Sequence, residues 1–399
     1  MRGIKGTRIT FVVTHAIDGA TRTLREAMTL HSAGAIVTVI ARGGKEPSKL
    51  FAEVPFDFLV PTAPRLYSDN KIWAIRVFLN LTYYKFMDWY WRNHMNDINY
   101  VGKKVPADIV QAVNPYSLSV ASVVASHHGA KFVYEAFEFF QGSFLDSLAD
   151  GGSKLRDYIR NEEKYIGETD GVITVSKSIS SKIKTHYSYE GSMIEVYNSP
   201  RCQEGPKASN ATDPVRFVFH GVVYQAHNVE NLLRAFARVE EGWIFDIWGR
   251  FDVRYKERID ALIDELNIND KVTYRGEFTQ ETALSTIGQY DVGIYPAMPA
   301  NDNYLNSLPN KFFDCICAGL CLAMPDFINM REIIEKEENG IILDTTSISG
   351  IEEGIRFLVQ NPEKVTQMKR QSAGASLKYS WNAQENNLID FYLNLLNRA

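Results

Sequence analysis

Two charged residues stand at the mouth of an apolar stretch, LNSLPNKFFDCICAGLCLAMPD, residues 305–326. Lys311 supplies a point positive charge, the group that meets a phosphate or a departing oxygen. Asp314 supplies a carboxylate that can accept hydrogen bonds from hydroxyls. Ser307–Lys311 precede a helix, so their N–H groups lie at its positive end, where anionic oxygens are favoured. The plainer alternatives are a solvated surface lysine and a helix-start carboxylate. Cys315, Cys317 and Cys321 share the stretch. Their spacing admits a metal site, but they fall on a helix and strand that read as buried, and free cysteine packs well in cores. Core packing is the expectation.

The elements that must hold these groups follow from periodicity. Short apolar runs alternate with amphipathic, helix-length segments. ITFVV (9–13), a helix ending at Gly34, and IVTVIA (36–41) form a strand–helix–strand unit that favours a parallel sheet. DIVQAV (108–113), KFVYEA (131–136), GVITVS (171–176) and MIEVYN (193–198) continue it. The polar segment 201–214 is rich in Pro, Gly and Ser and reads as a linker. A second series follows: strands 215–221, 243–249, 271–276 and 291–297, with helices 228–239, 254–268 and 282–290 between them. Two doubly wound α/β domains facing a cleft are expected. Gly221, Gly249 and Gly276 end three strands of the second, where a backbone can approach a phosphate or base.

The 399 residues suffice for two such cores. A net charge of −5 argues against bulk nucleic-acid binding. No apolar run spans a bilayer, ITFVV is shorter than a signal-peptide core, and the four cysteines form no disulfide framework. The expected location is cytoplasmic, free or at the inner face of the membrane. Residues 71–104 combine Trp73, Phe78, Tyr83, Tyr84, Phe86, Trp89, Tyr90 and Trp91 with an excess of Lys and Arg. They form either helices packed on the sheet or an interfacial membrane contact. Gly-x-Gly-x-x-Gly, Gly-x4-Gly-Lys-Ser/Thr, His-Glu-x-x-His and Asp-x-Asp are absent. A nicotinamide dehydrogenase, a phosphate loop, a zinc protease and the usual carboxylate pair of a metal–sugar-nucleotide complex therefore find no motif.

The second half resembles a known family. SLPNKFFDCICAGLCLAMPDFINMREIIEKEENGIIL is similar to the donor-site segment of retaining GT-B glycosyltransferases of family 4, in the Pro-Asn-Lys variety of their Glu-x7-Glu motif. FHGVVYQAHNVENLLRAF, DIWGR, KVTYRGEFTQETALSTIGQYDVGIYPA and the tail KYSWNAQENNLIDFYLNLL agree in order. The resemblance covers 215–395 well and 1–198 loosely. It implies a GT-B fold with an acceptor-binding domain (1–198), a nucleotide-sugar-binding domain (199–378) and a helix (379–399) crossing back to the first.

It also implies roles. Lys311, Asn306 and Glu138 are the catalytic candidates. Gly221, His227, Gly249, Arg250, Arg275, Gly276, Ser307, Leu308, Pro309, Asn310 and Asp314 are the donor-binding candidates, with Asp314 on the ribose. Asp18, Gly19 and Arg22 are the acceptor-side candidates. The expected reaction moves a sugar from a UDP- or GDP-sugar to a hydroxyl of a glycan or lipid-linked acceptor, with retention, in cell-surface polysaccharide or glycoconjugate synthesis. The nucleotide-sugar is a substrate; no cofactor and no metal are expected. The pattern departs from the family at five positions. Asn306 and Asp314 stand for the paired acids, Val222 and His227 for the diphosphate-gripping Arg and Lys, and Phe137 for the His of Asp-x-His-Glu. A nucleotide-sugar 2-epimerase and a non-catalytic glycan- or partner-binding relative are the competing readings.

Overall fold

The computed structural model describes residues 3–16, 20–42, 51, 53–61, 95–143, 153–202, 204–207 and 209–398. Two parallel sheets organise them. The first contains β1 (Arg8–Ala16), β2 (Ile36–Arg42), β3 (Asp57–Leu59), β4 (Ile109–Val113), β5 (Lys131–Ala136), β6 (Gly171–Thr174) and β7 (Ser192–Glu195), in the order β3-β2-β1-β4-β5-β6-β7. The second contains β8 (Val215–His220), β9 (Trp243–Trp248), β10 (Val272–Gly276), β11 (Val292–Ile294), β12 (Cys321–Pro325) and β13 (Gly340–Leu343), in the order β10-β9-β8-β11-β12-β13. Both place their first strand centrally and reverse direction beside it, the doubly wound order that leaves a crevice at the strands' carboxyl ends.

The elements form where local chemistry and burial agree. β4 is buried along its whole length, as a central parallel strand must be. The helix after it, Pro115–His128, begins with Pro at its first turn. The Asn114 side chain accepts the Tyr116 N–H, and Gly129 closes the helix in the left-handed region. Asp252 caps Val253–Leu266 in the same way, accepting from the N–H groups of Arg254 and Tyr255. One apolar core lies around the second sheet and two flank the first.

The last helix, Trp381–Asn397, packs on the first sheet. Trp381 is fully buried and donates its indole N–H to Thr29 at 2.9 Å, while the Tyr392 hydroxyl bonds Gln111 on β4. Between the halves, Arg25 reaches the Ser199 carbonyl and the Asn198 amide oxygen and lies over the Trp381 ring at 5.4 Å. All four cysteines are free and buried. Cys315 and Cys321 lie in the core of the second half, so these cysteines pack as the apolar reading of 315–323 expects. Among the described residues no group of three His, Cys, Asp or Glu is placed to hold a metal. Among the same residues no helix is long and apolar enough to cross a membrane. Residues 71–94, which carry the eight aromatics named above, lie outside the described residues; 95–102, with Tyr100, are helical.

Candidate active site

β8 ends in Phe219 and His220 and gives way to Gly221, whose φ is +109°. β9 gives way to Gly249 at φ +133°. A Cβ on Gly249 would collide with the Gly221 carbonyl, so the two strand-end turns lie backbone against backbone and the second position requires glycine. Gly276, at φ +86°, ends β10 in the same region of backbone space. The strand-end glycines therefore do what the sequence suggests: they bring bare main chain to the carboxyl edge of the sheet.

Opposite that edge, Asn310–Cys317 forms a helix of eight residues. Its cap position is Pro309 and no side chain caps it, so its first N–H groups are left to an outside acceptor. Lys311, in its first turn, reaches inward. Its Nζ is buried and has no hydrogen-bond partner. The ammonium sits 4.5 Å from the Phe219 ring and 4.5 Å from the Tyr295 ring, and it faces Gly221. The side chain as a whole is only half-buried, but the nitrogen is sealed, and the nitrogen's surroundings set the cost of its charge. Desolvation pulls its pKa down to about 7, against weaker support from Cys315 and Asp314. Lys311 is thus a desolvated, unpartnered amine between two aromatic rings.

Asp314 lies one turn further along the helix and approaches His220 Nε2 at 3.2 Å. His220 is buried, whereas Asp314 keeps about a fifth of its side chain open to solvent. Its second oxygen remains available to hydroxyls. Ser307 is held by the Tyr304 carbonyl through both its N–H and its hydroxyl, Leu308 is buried, and Asn310 is exposed at the helix start.

Several expected residues turn out to be differently employed. His227 is no cation: it is buried between aromatic rings, 4.0 Å from Tyr224 and 5.4 Å from Tyr295 between centroids. Burial, reinforced by the Lys311 charge, pushes its pKa down to about 3. It is neutral at physiological pH and cannot grip a diphosphate by charge. Val222, beside it, is half exposed and apolar.

Arg275 is exposed but pairs at 2.9 Å with the buried carboxylate of Asp246, which also accepts from the Tyr290 hydroxyl. It is committed to the sheet edge. Arg250 is exposed on the turn after β9. Asn306 is fully buried, and its Nδ2 donates to the Asp302 carbonyl at 2.6 Å and to the Asp302 carboxylate at 3.2 Å. Its Oδ1 has no partner. Its carbonyl accepts from Ser176 and Asn329, which makes it a joint between the halves.

On the first half, Arg22 does not face an acceptor. It is buried and bonds Glu135, the Val196 carbonyl and, at 3.1 Å, Glu26. Two buried carboxylates and one guanidinium are paired by charge there, with Gln111 donating to both acids, while Arg22 Nη2 and Glu26 Oε1 have no hydrogen-bond partner. Phe137 lies against the same guanidinium, 5.8 Å from ring centre to charge. Asp18 and Gly19 lie outside the described residues. Glu138 does enter the cleft. It is open to solvent yet crowded by both walls; desolvation raises its carboxyl, and a hydrogen bond from Asn303 works against that rise.

The aromatic box was missed from sequence. Phe219 and Tyr295 read as strand core, and Tyr224 and Tyr304 as loop residues, yet the two tyrosine hydroxyls meet at 3.2 Å over His227. The available signal was position: Phe219 and His220 are the last strand residues before Gly221, where a side chain borders the crevice.

Residues 203–374 match the family model described as glycosyl transferases group 1. No curated protein sequence matches the chain. Among solved structures, the chain is similar to a sucrose-phosphate synthase from Thermosynechococcus elongatus. The TM-score is 0.75 at 14% identity, over 98% of this chain and 99% of the other. It is also similar to HepE from Anabaena in complex with UDP, with a TM-score of 0.72 at 10% identity over 97% and 100% of the two chains. WaaG, described as a glycosyltransferase involved in lipopolysaccharide biosynthesis, aligns with a TM-score of 0.64 at 14% identity over 96% and 98%. With the two sheets and the returning helix, these likenesses establish a GT-B fold.

Proposed function

We propose that this chain, whose second half carries a glycosyl transferases group 1 segment on a GT-B fold, moves a sugar from a nucleotide-sugar to an acceptor hydroxyl. The observation that carries the reading is Lys311: a buried ammonium with no partner, between two rings, at an uncapped helix start and facing a glycine turn. A group placed at that cost needs an anion, and a diphosphate between the Gly221 turn and the first turn of Asn310–Cys317 supplies it. Binding restores the charge on Lys311, and the paired cation then holds the departing diphosphate. Asp314 takes the ribose hydroxyls from its place beside His220. That HepE structures contain UDP or UDP-glucose favours a uridine donor among the UDP- and GDP-sugars.

Glu138, from the opposite wall, receives the acceptor hydroxyl and draws on its proton as the bond to the sugar forms. Following the resemblance of the donor-site segment to retaining enzymes, attack on the face that the diphosphate leaves, with retention, is the proposed course. Lys311 and the helix N–H groups do the work that a divalent ion does in metal-dependent transferases. The acceptor is a glycan or a lipid-linked glycan, and the pathway is cell-surface polysaccharide or glycoconjugate synthesis at the cytoplasmic side of the membrane.

The test incubates the protein with UDP- and GDP-sugars, with and without chelator, and follows nucleotide release and calorimetric binding. Release with one donor, unaffected by chelator, is the expected result. Absence of both release and binding with every donor removes the proposal. The exposed Val222 and the neutral His227 support a second reading, a chain that binds the donor without turnover; binding without release selects it.

A further inference from the structure

The short helix Asp302–Leu305 touches both halves of the molecule. Asn301 starts it by accepting the Tyr304 N–H at 2.9 Å. Its second residue, Asn303, reaches across the cleft with both ends of its amide. Oδ1 accepts the Phe139 N–H at 3.0 Å, and Nδ2 donates to Glu138 Oε2 at 3.2 Å. The main-chain donor fixes which amide atom is which, so the N–H₂ end must face the carboxylate. The contact is framed on both sides. Lys182 pairs with Asp302 at 2.7 Å, and Gly142 lies so close to Asn303 and Asp302 that a side chain there would press on both. Tyr304, the next residue, meets Tyr224, whose ring lies tilted against His227 beside Lys311.

We propose that Asn303 is a positioning residue that holds the Glu138 carboxylate in the cleft, so that this acid is aimed at the acceptor only when the two halves are closed on each other. The proposal rests on the glycosyl-transfer reading for the role of Glu138. An exposed glutamate needs no protein partner for stability, because water satisfies it. What the amide supplies is direction: it removes rotamer freedom from a side chain that must meet a hydroxyl within hydrogen-bond reach. It also stabilises the charged form, opposing the desolvation that raises this carboxyl.

Among the described residues, the groups around Glu138 are these. Tyr158, on Ser153–Tyr165, and Tyr304 both feel its charge. The Lys182–Asp302 pair lies alongside, and His186 packs edge-on against Phe139. Behind them Glu162 accepts from Tyr134 and Tyr187, and Glu163 from Gln141. None of these donates to Glu138.

The experiment compares wild type, Asn303→Ala and Asn303→Asp with a donor and acceptor that wild type turns over. Expected for Asn303→Ala is a fall in kcat of about tenfold or more with little change in donor KM. The acidic limb of the kcat profile moves to higher pH, because the hydrogen bond that favoured the carboxylate is gone. Asn303→Asp keeps an acceptor for the Phe139 N–H but sets a like charge against Glu138. Its limb moves further while its thermal midpoint stays close to wild type. A kcat loss that merely follows lost thermal stability, with the limb unmoved in both variants, overturns the proposal.

Carbon-13 NMR titration of Glu138 decides the point without turnover. Its pKa must rise in Asn303→Ala; an unchanged value overturns the inference. If wild type turns over no donor at all, the glycosyl-transfer reading fails by itself, and the titration still tests whether Asn303 sets Glu138.

Discussion

Replacing Lys311 by Met separates ligand binding from stability, and the structure gives the sign of both. The pKa of Lys311 falls from 10.5 to about 7 on folding. At ~1.4 kcal/mol per unit, its charged form is disfavoured in the folded protein by about 5 kcal/mol relative to the unfolded chain. Relaxation of the surrounding side chains relieves part of that cost, and Met fills the same channel between Phe219 and Tyr295 without charge. Lys311→Met is therefore expected to stabilise the ligand-free protein by about 2–4 kcal/mol at pH 7.

The pH dependence is a sharper test. The folded pKa is depressed, so the wild-type penalty is fully present below pH 7 and disappears as pH rises toward 10.5. Denaturant midpoints of the two proteins, measured from pH 6 to pH 10, should converge, with the variant ahead at the acidic end. Over the same series the variant should lose nucleotide-sugar affinity by about a hundredfold or more, since a charge-assisted contact to phosphate is removed. A variant less stable than wild type at pH 7, or a gap constant across the pH range, would refute the picture of a desolvated, unpartnered ammonium.

Three further outcomes follow. Asp314→Asn keeps the shape of the His220 contact and removes the charge; donor KM should rise by about tenfold or more with a smaller change in kcat, read from initial rates. Gly249→Ala forces a Cβ onto the Gly221 carbonyl at a positive φ, and calorimetry should show a loss of at least about 2 kcal/mol together with weakened nucleotide binding. Trp381→Ala empties a fully buried site beside Thr29 and Arg25 and should cost about 3–5 kcal/mol in urea unfolding.

The architecture was legible because parallel strands buried on both faces write themselves as unbroken apolar runs, and because glycines punctuate their ends. The strands expected at 36–41, 131–136 and 243–249 lie within a residue or two of β2, β5 and β9. The placement of Lys311 and Asp314 at a helix start was legible for the same reason: Pro309 and the run after it mark the boundary. Charge state was not. Nothing in the type of His227 shows that Tyr224 and Tyr295 enclose it, since that depends on two loops meeting from distant parts of the chain. Arg22 was misplaced because the residues after a strand's carboxyl end usually face the crevice. Its partner Glu26, four residues on along the same helix, was the sign that this face turns inward. Asn303 sits in NDNY, which reads as a polar turn until the opposite wall is in place.

The returning helix bears on how the molecule comes into being. The core beneath the first sheet draws Trp381, Leu388, Phe391, Tyr392 and Leu395 from the seventeen-residue helix Trp381–Asn397. Domains made on the ribosome ordinarily fold in order of synthesis. Here the half that is made first stays unfinished until Trp381–Asn397 emerges, while every described strand of the second half has already been made. The second half should become protease-resistant first, and a nascent chain stalled before residue 381 should hold a folded second sheet next to an open first sheet that still recruits chaperones.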